Sequence, residues 1–375
     1  MKILHLVLNN YENDNRVRRA AECGYGVGAE VFIYALSKYK SIKVYNENGV
    51  YIRLFYLITR SWPKLKYFQI FKYLEIVFRM ILAGRKYRPT IIHAHDLNTL
   101  PIGLMIAKLT GAKLVYDSHE YWADVGIFDS PYFSKLIMIF EKYFLNKVNV
   151  CITVSSNIAD LLMHNYSIPK PIVIRNVPER WNIDSPKQLR SSLGITDDAV
   201  LILYQGFIVG NGVHHLKEAF KKVKGNVLLV FLGDGEEVES LKSDNYPGIY
   251  FHQSVPYEKL ASFTSDADIG VLSIQGINQS KFNALPNKMF EYINGGLALV
   301  ASNLPEMRRL IDEYNMGSVY TDGNIDELAD KINELVNNDA LLKEFKINSR
   351  ICATEINWEN EKKTLEDIYL SIKVR

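Results

Sequence analysis

The sequence predicts an α/β protein built from two Rossmann-like, doubly wound domains that face a cleft. The chain has 375 residues, which exceeds one typical domain and fits two of ordinary size. Short apolar strands alternate with helical stretches along the chain, a pattern typical of parallel sheets covered by helices. A polar stretch at residues 176–198, which contains Pro178 and Pro186, separates the strands into two runs and is predicted to be the linker.

Each predicted strand is a short run of aliphatic, β-branched or aromatic residues. The first run comprises Lys2–Leu8, Val31–Tyr34, Ile91–Ala94, Lys113–Asp117, Val150–Val154 and Ile172–Arg175. The second comprises Val200–Gln205, Asn226–Leu232, Ile249–Phe251, Ile269–Leu272 and Leu297–Ala301. Residues 1–177 and 178–356 are therefore predicted to be the two domains, and the amphipathic stretch at 357–375 a terminal helix. Ligands of such domains bind where the parallel strands end.

Composition limits the cellular setting. Cys23, Cys151 and Cys352 are odd in number and far apart, which argues against a disulfide framework and for a reducing compartment. The apolar run after Met1 is too short for a signal peptide. No uncharged apolar segment reaches about 18 residues. We therefore expect a cytoplasmic chain with no transmembrane helix.

Charge is distributed unevenly along the chain. Residues 1–177 contain 23 lysines and arginines against 13 acidic residues, whereas residues 178–375 contain 21 against 29. Basic and aromatic side chains concentrate at residues 60–88, a pattern typical of a helix on an anionic membrane surface. A domain helix with a buried apolar face fits the same pattern, but the charge asymmetry favours the membrane. Nucleic acid is not predicted, since no recognised binding module accompanies the charge.

The segment from Leu285 to Gly296 is the most informative part of the chain. It predicts a short helix that begins at Pro286 and ends at two glycines, followed by a buried strand. Lys288 and Glu291 share one face of this helix near its start. A lysine there opposes the helix dipole, unless an anion such as a phosphate binds beside it. Glu291 would then suit neutral hydroxyls such as those of a ribose, although spacing by itself favours an ordinary solvated Lys–Glu pair.

The motif Pro286-Asn287-Lys288-x-x-Glu291-Tyr292, followed by Gly296 and an apolar strand, resembles the donor-binding segment of group 1 glycosyltransferases. These enzymes belong to glycosyltransferase family four and have the GT-B fold. Further matches cover nearly all of the chain. The resemblance implies that Glu291 binds the nucleotide ribose, and that a terminal helix with Trp358 near its start packs on the first domain. It also implies a donor site made of Gly206, Gly233, Ser254, Val255, Asn283, Leu285, Pro286, Asn287, Lys288 and Glu291.

Polar clusters also follow the strands of the first domain. Tyr-Asp-Ser-His-Glu, ending at Glu120, closely resembles a family segment whose histidine lies near the donor sugar and phosphate. His119 is therefore assigned to substrate positioning or transition-state support, which completes a predicted catalytic set with Lys288 and Glu291. Residues expected to face the acceptor and the cleft are Asp14, Arg16, His95 and Asp96.

The histidines of this region also fit a metal site. His93, His95 and His119 lie at neighbouring strand ends together with Asp96 and Asp117. Zinc, however, requires a fixed ligand geometry that a sequence does not show, and the resembled fold typically needs no metal. No metal and no other cofactor are therefore predicted, and His93 is expected to be a hydrogen-bonded structural residue.

The second domain departs from the family pattern in two places. The family often carries an arginine and a lysine near the Gly206 loop to neutralise the diphosphate, and this chain has neither in the loop. Lys288 is the best candidate to replace them; others are Arg16, Lys281 and Arg175. A second glutamate of the family corresponds to Asn283, which changes the groups offered to the donor.

These features predict a retaining, metal-independent hexosyltransferase. It would move a sugar from a nucleotide-sugar, UDP-linked as is common in the family, to a saccharide or lipid-linked saccharide in bacterial envelope polysaccharide synthesis. Two alternatives stay open. A nucleotide-sugar epimerase has the same architecture, so the fold does not settle the reaction. A degenerate, membrane-associated scaffold would explain the missing basic loop residues, whereas the presence of His119, Lys288 and Glu291 argues against it.

Overall fold

The computed structural model describes residues 1–12, 14–40, 44–63, 65–124, 131–182, 187–195 and 198–373. The chain forms two compact units, Met1–Arg175 with Glu361–Arg375 and Asn176–Asn360. The sequence-based divisions were placed after residues 177 and 356 instead. Pro186 of the predicted linker and Lys64 of the basic segment lie outside the described residues.

The first unit contains an eight-stranded sheet with the strand order β3-β4-β2-β1-β5-β6-β7-β8. Its strands in the described residues are β1 Lys2–Leu6, β2 Glu30–Leu36, β3 Val44–Glu47, β4 Val50–Phe55, β5 Ile91–His95, β6 Lys113–Ser118, β7 Val150–Thr153 and β8 Ile172–Val173. Its helices are α1 Asn15–Gly26, α2 Lys66–Tyr87, α3 Leu100–Thr110, α4 Pro131–Leu145 and α5 Ser156–Tyr166. Single turns of 3-10 helix occupy Ile58–Ser61 and Trp122–Asp124.

Sequence reasoning missed the strands β3 and β4. They pair antiparallel, while every other described pair in this sheet is parallel. Asn48 and Gly49 connect them with φ angles of 52° and 87°. Left-handed Asn-Gly is the preferred two-residue turn of a hairpin, so this dipeptide is the signal that could have revealed it.

Both faces of the central strands are buried, which explains their continuous apolar runs. Ile3, Leu4 and Leu6 of β1 are fully buried, and helices α1, α3 and α5 contribute further buried side chains. The last helix, α15 Trp358–Lys373, enters the first unit from Glu361 onward. Its Tyr369 is fully buried, and its hydroxyl lies 2.7 Å from Nδ1 of His93. The predicted return of the terminal helix to the first domain is therefore confirmed.

The second unit is a wholly parallel sheet in the order β11-β10-β9-β12-β13-β14. Its described strands are β9 Val200–Gln205, β10 Val227–Leu232, β11 Ile249–His252, β12 Ile269–Leu272, β13 Ala298–Ser302 and β14 Gly317–Tyr320. Its described helices are α6 Leu189–Leu193, α7 Asn211–Phe220, α8 Val238–Lys242, α9 Tyr257–Thr264, α10 Gln279–Phe282, α11 Asn287–Gly295, α12 Pro305–Tyr314, α13 Ile325–Asn337 and α14 Asp339–Glu355.

Taken in chain order, these strands follow the 3-2-1-4-5-6 arrangement of doubly wound nucleotide-binding domains. The sequence missed β14, which is short and begins with glycine. Helix α11 has the predicted ends to within one residue: Pro286 caps it, and Gly296 closes it in the left-handed conformation with φ of 70°. Within the described residues, no helix is both long enough and apolar enough to cross a bilayer.

Candidate active site

An open pocket of about 260 Å³ lies in the second unit, at the carboxyl ends of β9, β10 and β11. This edge of a parallel sheet is where doubly wound domains bind ligands, because the strand order reverses beside it. Five of the predicted donor residues line the pocket: Gly206, Gly233, Ser254, Val255 and Glu291. Five further lining residues were not predicted: Gln205, Phe207, Leu232, Asp234 and Leu260.

Two glycine turns shape the floor of this pocket. The amide of Gly206 donates to Leu232 O at 2.9 Å, and that of Gly233 donates to His252 O at 2.9 Å. Gly233 has a φ of 146°, and a Cβ atom there would lie 1.9 Å from the carbonyl oxygen of Gly206. Any side chain at Gly233 would therefore push the two loops apart. Nearby, Ser254 donates from its hydroxyl to a carboxylate oxygen of Asp234.

A chain of hydrogen bonds holds Glu291 at the edge of the pocket. The amide of Gln205 donates through Nε2 to Oε2 of Glu291, and its Oε1 accepts from the Thr264 hydroxyl. The backbone N–H of Gln205 donates to the hydroxyl of the buried Tyr292 at 2.7 Å. Since Gln205 is held at three points, it fixes the carboxylate that the sequence assigns to ribose binding. The sequence gives only a weak signal for this role, because Gln205 is simply a polar residue that ends a buried strand just before a glycine.

Lys288 lies on the same side of helix α11 as Glu291. Its ammonium is 3.8 Å from the centre of the Tyr204 ring, and a Cβ on Gly206 would approach Nζ to 3.7 Å. Burial lowers the pKa of Lys288 to about 8, while the Glu291 carboxylate acts in the opposite direction. An anion beside Gly206 would meet this positive charge.

The other predicted donor residues do not line the pocket. Asn283 is buried, and its amide donates to the backbone oxygen of Gln279 at 2.8 Å. Leu285 is also buried, Pro286 caps helix α11, and Asn287 accepts from the Asn176 amide at 2.9 Å. Their roles in donor binding remain predictions.

A second polar cluster lies in the first unit, where β5 and β6 end. The ring of His119 lies between two carboxylates, with Nδ1 at 3.2 Å from Asp96 and Nε2 at 3.3 Å from Asp117. His95 is fully buried beside them, and its Nε2 lies 3.0 Å from Nδ1 of His5. Asp96 adopts a left-handed φ of 67°, which aspartate tolerates better than most residues.

Arg16 and Asp14 have local partners in the same unit. Arg16 forms a two-pronged ion pair with Asp117, with Nε at 2.9 Å and Nη2 at 2.5 Å, and both side chains are almost fully buried. Asp14 caps helix α1 by accepting from the Val17 amide at 3.1 Å. Arg175, another predicted phosphate substitute, pairs with Glu361 at 2.7 Å. Their roles toward an acceptor or a phosphate stay predictions, while Lys288 lies beside the pocket.

The two carboxylates dominate the electrostatics of this polar cluster around His119. Burial opposes a charged ring, but Asp96 and Asp117 raise the pKa of His119 to about 10. Burial and the neighbouring His95 lower the pKa of His93 to about 4. In the described residues, two sets of side chains lie close enough to hold a metal ion: His5, His93 and His95, and His95, Asp117 and His119.

Comparison with known families identifies the chain. Residues 18–177 match the family model described as Glycosyltransferase Family 4, and residues 186–351 match that of Glycosyl transferases group 1. The chain belongs to the group 1 glycosyltransferases. The first match lies within the first unit apart from its last two residues, and the second lies within the second unit, which contains the pocket and the helix with Lys288 and Glu291. No curated protein matches the chain in sequence.

Solved structures share the fold over the whole length of this glycosyltransferase. Sucrose-phosphate synthase from Thermosynechococcus elongatus is 14% identical with a TM-score of 0.80, over 100% of this chain and 99% of that one. HepE from Anabaena, solved with UDP-glucose, is 16% identical with a TM-score of 0.74, and the match covers 99% of this chain and 100% of HepE. WaaG, a glycosyltransferase involved in lipopolysaccharide biosynthesis, is 14% identical with a TM-score of 0.71, and the match covers 98% of this chain and 99% of WaaG. The chain therefore has the GT-B fold.

Proposed function

We propose that this glycosyltransferase moves a sugar, with retention of configuration, from a UDP-sugar to a saccharide or lipid-linked saccharide of the bacterial cell envelope. The observation that carries the proposal is the pocket at the ends of β9–β11, with Glu291 fixed by Gln205 and Lys288 beside the Gly206 turn. UDP is supported by HepE, which was solved with UDP-glucose. An envelope role is supported by WaaG, which acts in lipopolysaccharide biosynthesis.

In this proposal the protein acts through positioning and charge. Glu291 accepts hydrogen bonds from the ribose hydroxyls, and Lys288 with the start of helix α11 stabilises the departing diphosphate. The leaving phosphate oxygen helps to deprotonate the attacking hydroxyl on the same face of the sugar. Because protein groups neutralise the diphosphate, we propose that transfer needs no metal at the donor. His119 remains the predicted positioning group of the first unit.

The test is calorimetric binding of UDP, GDP and their common sugar conjugates without added metal, followed by a search for an acceptor-dependent product. Selective binding of one nucleotide, together with a product that retains the anomeric configuration, would support the proposal. A new sugar isomer made without acceptor would instead identify an epimerase. If a folded sample binds no nucleotide and makes no product, the scaffold alternative takes precedence.

Donor binding should depend on pH through Lys288. The pKa of about 8 in the free chain means that the ammonium is lost as pH rises above this value, whereas a bound diphosphate favours the charged form. We expect affinity for UDP to fall about tenfold between about pH 7.5 and 9.5, a range in which the phosphate, with a second pKa near 6, is already ionised. Calorimetry across this range measures the effect.

The Lys288→Arg variant is the matched control, since arginine stays charged across this range. Its affinity for UDP should be nearly independent of pH. If the parent chain shows no decline, or if Lys288→Arg declines equally, Lys288 does not neutralise the diphosphate.

We also propose that the first unit binds the anionic surface of the membrane. Helix α2 buries Ile76, Met80 and Ala83, yet a second apolar face is at least half exposed: Tyr67, Ile70, Phe71, Leu74, Phe78 and Leu82. Helix α3 packs against both α2 and α4. Helix α4 also exposes a row of apolar side chains, each more than two-fifths exposed: Tyr132, Phe133, Leu136, Ile139, Phe140 and Tyr143. Exposed apolar rows next to the exposed basic residues Arg85, Lys86 and Arg88 suit a lipid headgroup region.

The Leu74→Glu, Phe78→Glu double variant should lose most vesicle binding. Each side chain contributes roughly 1.5–3 kcal/mol when removed from water, so we expect a loss of more than tenfold. Sedimentation with vesicles that contain phosphatidylglycerol measures it, and binding should weaken with salt. Ile347→Glu with Ile351→Glu, exposed on α14 of the second unit, is the control. Equal losses in both variants, or no binding by the parent, would contradict a membrane surface on α2.

A further inference from the structure

A further pocket, of about 210 Å³, lies in the first unit where helix α1 meets the β3–β4 hairpin. Six described residues line it, and all of them are polar or aromatic: Tyr11, Glu12, Asp14, Arg18, Tyr45 and Glu47. Asp14 and Arg18 are one helical turn apart, and Tyr45 and Glu47 alternate along β3, so each pair faces one side. Of these six residues, only Asp14 was predicted to face the acceptor.

Tyr11 is the most deeply buried residue of this pocket, at 7% exposed. Its backbone has a left-handed φ of 63°, which is uncommon for a bulky residue, and its N–H donates to Oδ1 of Asn9 at 2.7 Å. Burial raises the pKa of its hydroxyl, the Glu47 carboxylate raises it further, and Arg18 acts in the opposite direction. The hydroxyl therefore lies among the charged groups of the pocket.

Two polar groups of the pocket lack a protein partner. Among the described residues, the Tyr11 hydroxyl has no hydrogen-bond partner, and the same holds for the Glu47 carboxylate. Arg18 donates through Nη2 to Oδ1 of Asn15, which leaves its other N–H groups for a ligand. Since buried polar groups are normally hydrogen-bonded, a polar ligand can supply the missing partners.

The groups on offer suit a sugar ring. A carboxylate accepts hydrogen bonds, a guanidinium donates them and a phenol does both, which matches hydroxyls that donate and accept. The ring of Tyr45, 39% exposed, offers an apolar surface to the C–H face of a sugar. The volume is below the roughly 300–1,000 Å³ of sites for drug-sized ligands, so it fits a single ring.

Charge selects among sugars. Lys38 pairs with Glu12 at 2.7 Å and neutralises it. The remaining carboxylates of the pocket, Asp14 and Glu47, exceed the single guanidinium of Arg18. An anionic sugar such as a uronic acid would therefore be repelled.

We propose that this pocket binds one neutral sugar unit of the acceptor saccharide, with Tyr11, Glu47 and Arg18 contacting its hydroxyls and Tyr45 packing on its ring. The part that concerns the acceptor rests on the proposed function, whereas the binding of a sugar does not require transfer.

The test is saturation-transfer NMR of the full chain, without nucleotide, against methyl glycosides of glucose, galactose, mannose, rhamnose, N-acetylglucosamine and glucuronic acid. We expect at least one neutral glycoside to bind with a Kd of about 1 mM. The glucuronide should bind about tenfold more weakly or not at all. Tyr45→Ala should lose the signal, whereas Tyr132→Ala, an exposed tyrosine on α4, should keep it.

Three results would overturn the inference: no binding of any neutral glycoside, equal binding of the glucuronide, or equal signal in Tyr45→Ala and the parent. Binding of UDP by the same sample separates this failure from that of the proposed function. A parent that binds UDP but no sugar contradicts the sugar pocket alone, whereas a folded parent that binds neither contradicts both.

Two conservative variants separate ligand contact from a structural role. Tyr11→Phe removes only the hydroxyl, so sugar affinity should fall about two- to tenfold. Because that hydroxyl has no partner among the described residues, stability in urea should stay unchanged. Glu47→Gln keeps the size of the side chain but not the charge, and should bind the sugar about tenfold more weakly. Unchanged sugar affinity in both variants, or a loss that follows lowered stability, would assign these groups to the fold instead.

Discussion

Replacing Glu291 with alanine is expected to lower the affinity for UDP by about 100-fold or more. The carboxylate would accept two ribose hydrogen bonds, and hydrogen bonds to a charged group contribute roughly 1.5–3 kcal/mol each. The variant also leaves the Nε2 group of Gln205 without its present acceptor at the pocket edge. Calorimetry with UDP measures the loss, and the rate of sugar transfer should fall with it.

Glu258→Ala provides the matched control for this change. Glu258 is exposed on helix α9 of the same unit and does not line the pocket, so its loss removes the same charge without touching the donor. The affinity of Glu291→Gln for UDP should lie between those of the parent and Glu291→Ala, because glutamine keeps an acceptor oxygen but not the charge. Unchanged UDP affinity in Glu291→Ala, with folding intact, would exclude ribose binding by this residue.

The second large effect is expected for Gly233→Ala, which should abolish measurable UDP binding. The new Cβ would lie 1.9 Å from the carbonyl oxygen of Gly206, so the two loops that form the pocket floor must separate. An unfavourable φ of 146° and the overlap together should lower the free energy of unfolding by roughly 2–5 kcal/mol. Denaturant unfolding and calorimetry measure the two effects.

Gly194→Ala separates backbone strain from the steric clash. Gly194 has a φ of 67°, and a Cβ atom there would have no neighbour within 4 Å. It should therefore lose only about 1–2 kcal/mol of stability and bind UDP like the parent. If Gly233→Ala behaves in the same way, the close approach of the two loops is not needed for the pocket.

Much of the fold follows from local patterns in the sequence. The apolar runs predicted strands such as Val200–Gln205 and Ile269–Leu272 with the bounds that the structure has. The motif around Lys288 and Glu291 predicted a short helix and the face that these two residues share. Local signals suffice here because strand period, helix caps and turn glycines depend on neighbouring residues.

The exposed apolar face of helix α2 shows a limit of such patterns. Its sequence is apolar enough for either a core helix or a membrane-surface helix, and the period of apolar residues fits both. Only packing reveals that Ile76 and Met80 face the core while Phe71 and Phe78 remain exposed. The two apolar faces of one helix differ in their neighbours, and those neighbours are distant in sequence.

The sequence by itself determined the α/β class, the helix and strand periods, and the family motif with Lys288 and Glu291. Tertiary structure decided that Gln205 holds Glu291, that Arg16 is buried against Asp117, and that His95 and His119 converge with this carboxylate. These partners come from separate strands and helices, up to 101 residues apart. Their distances depend on strand order and register. These bring residues that are remote in sequence together, and they produce no periodic pattern in the sequence that could be recognised beforehand.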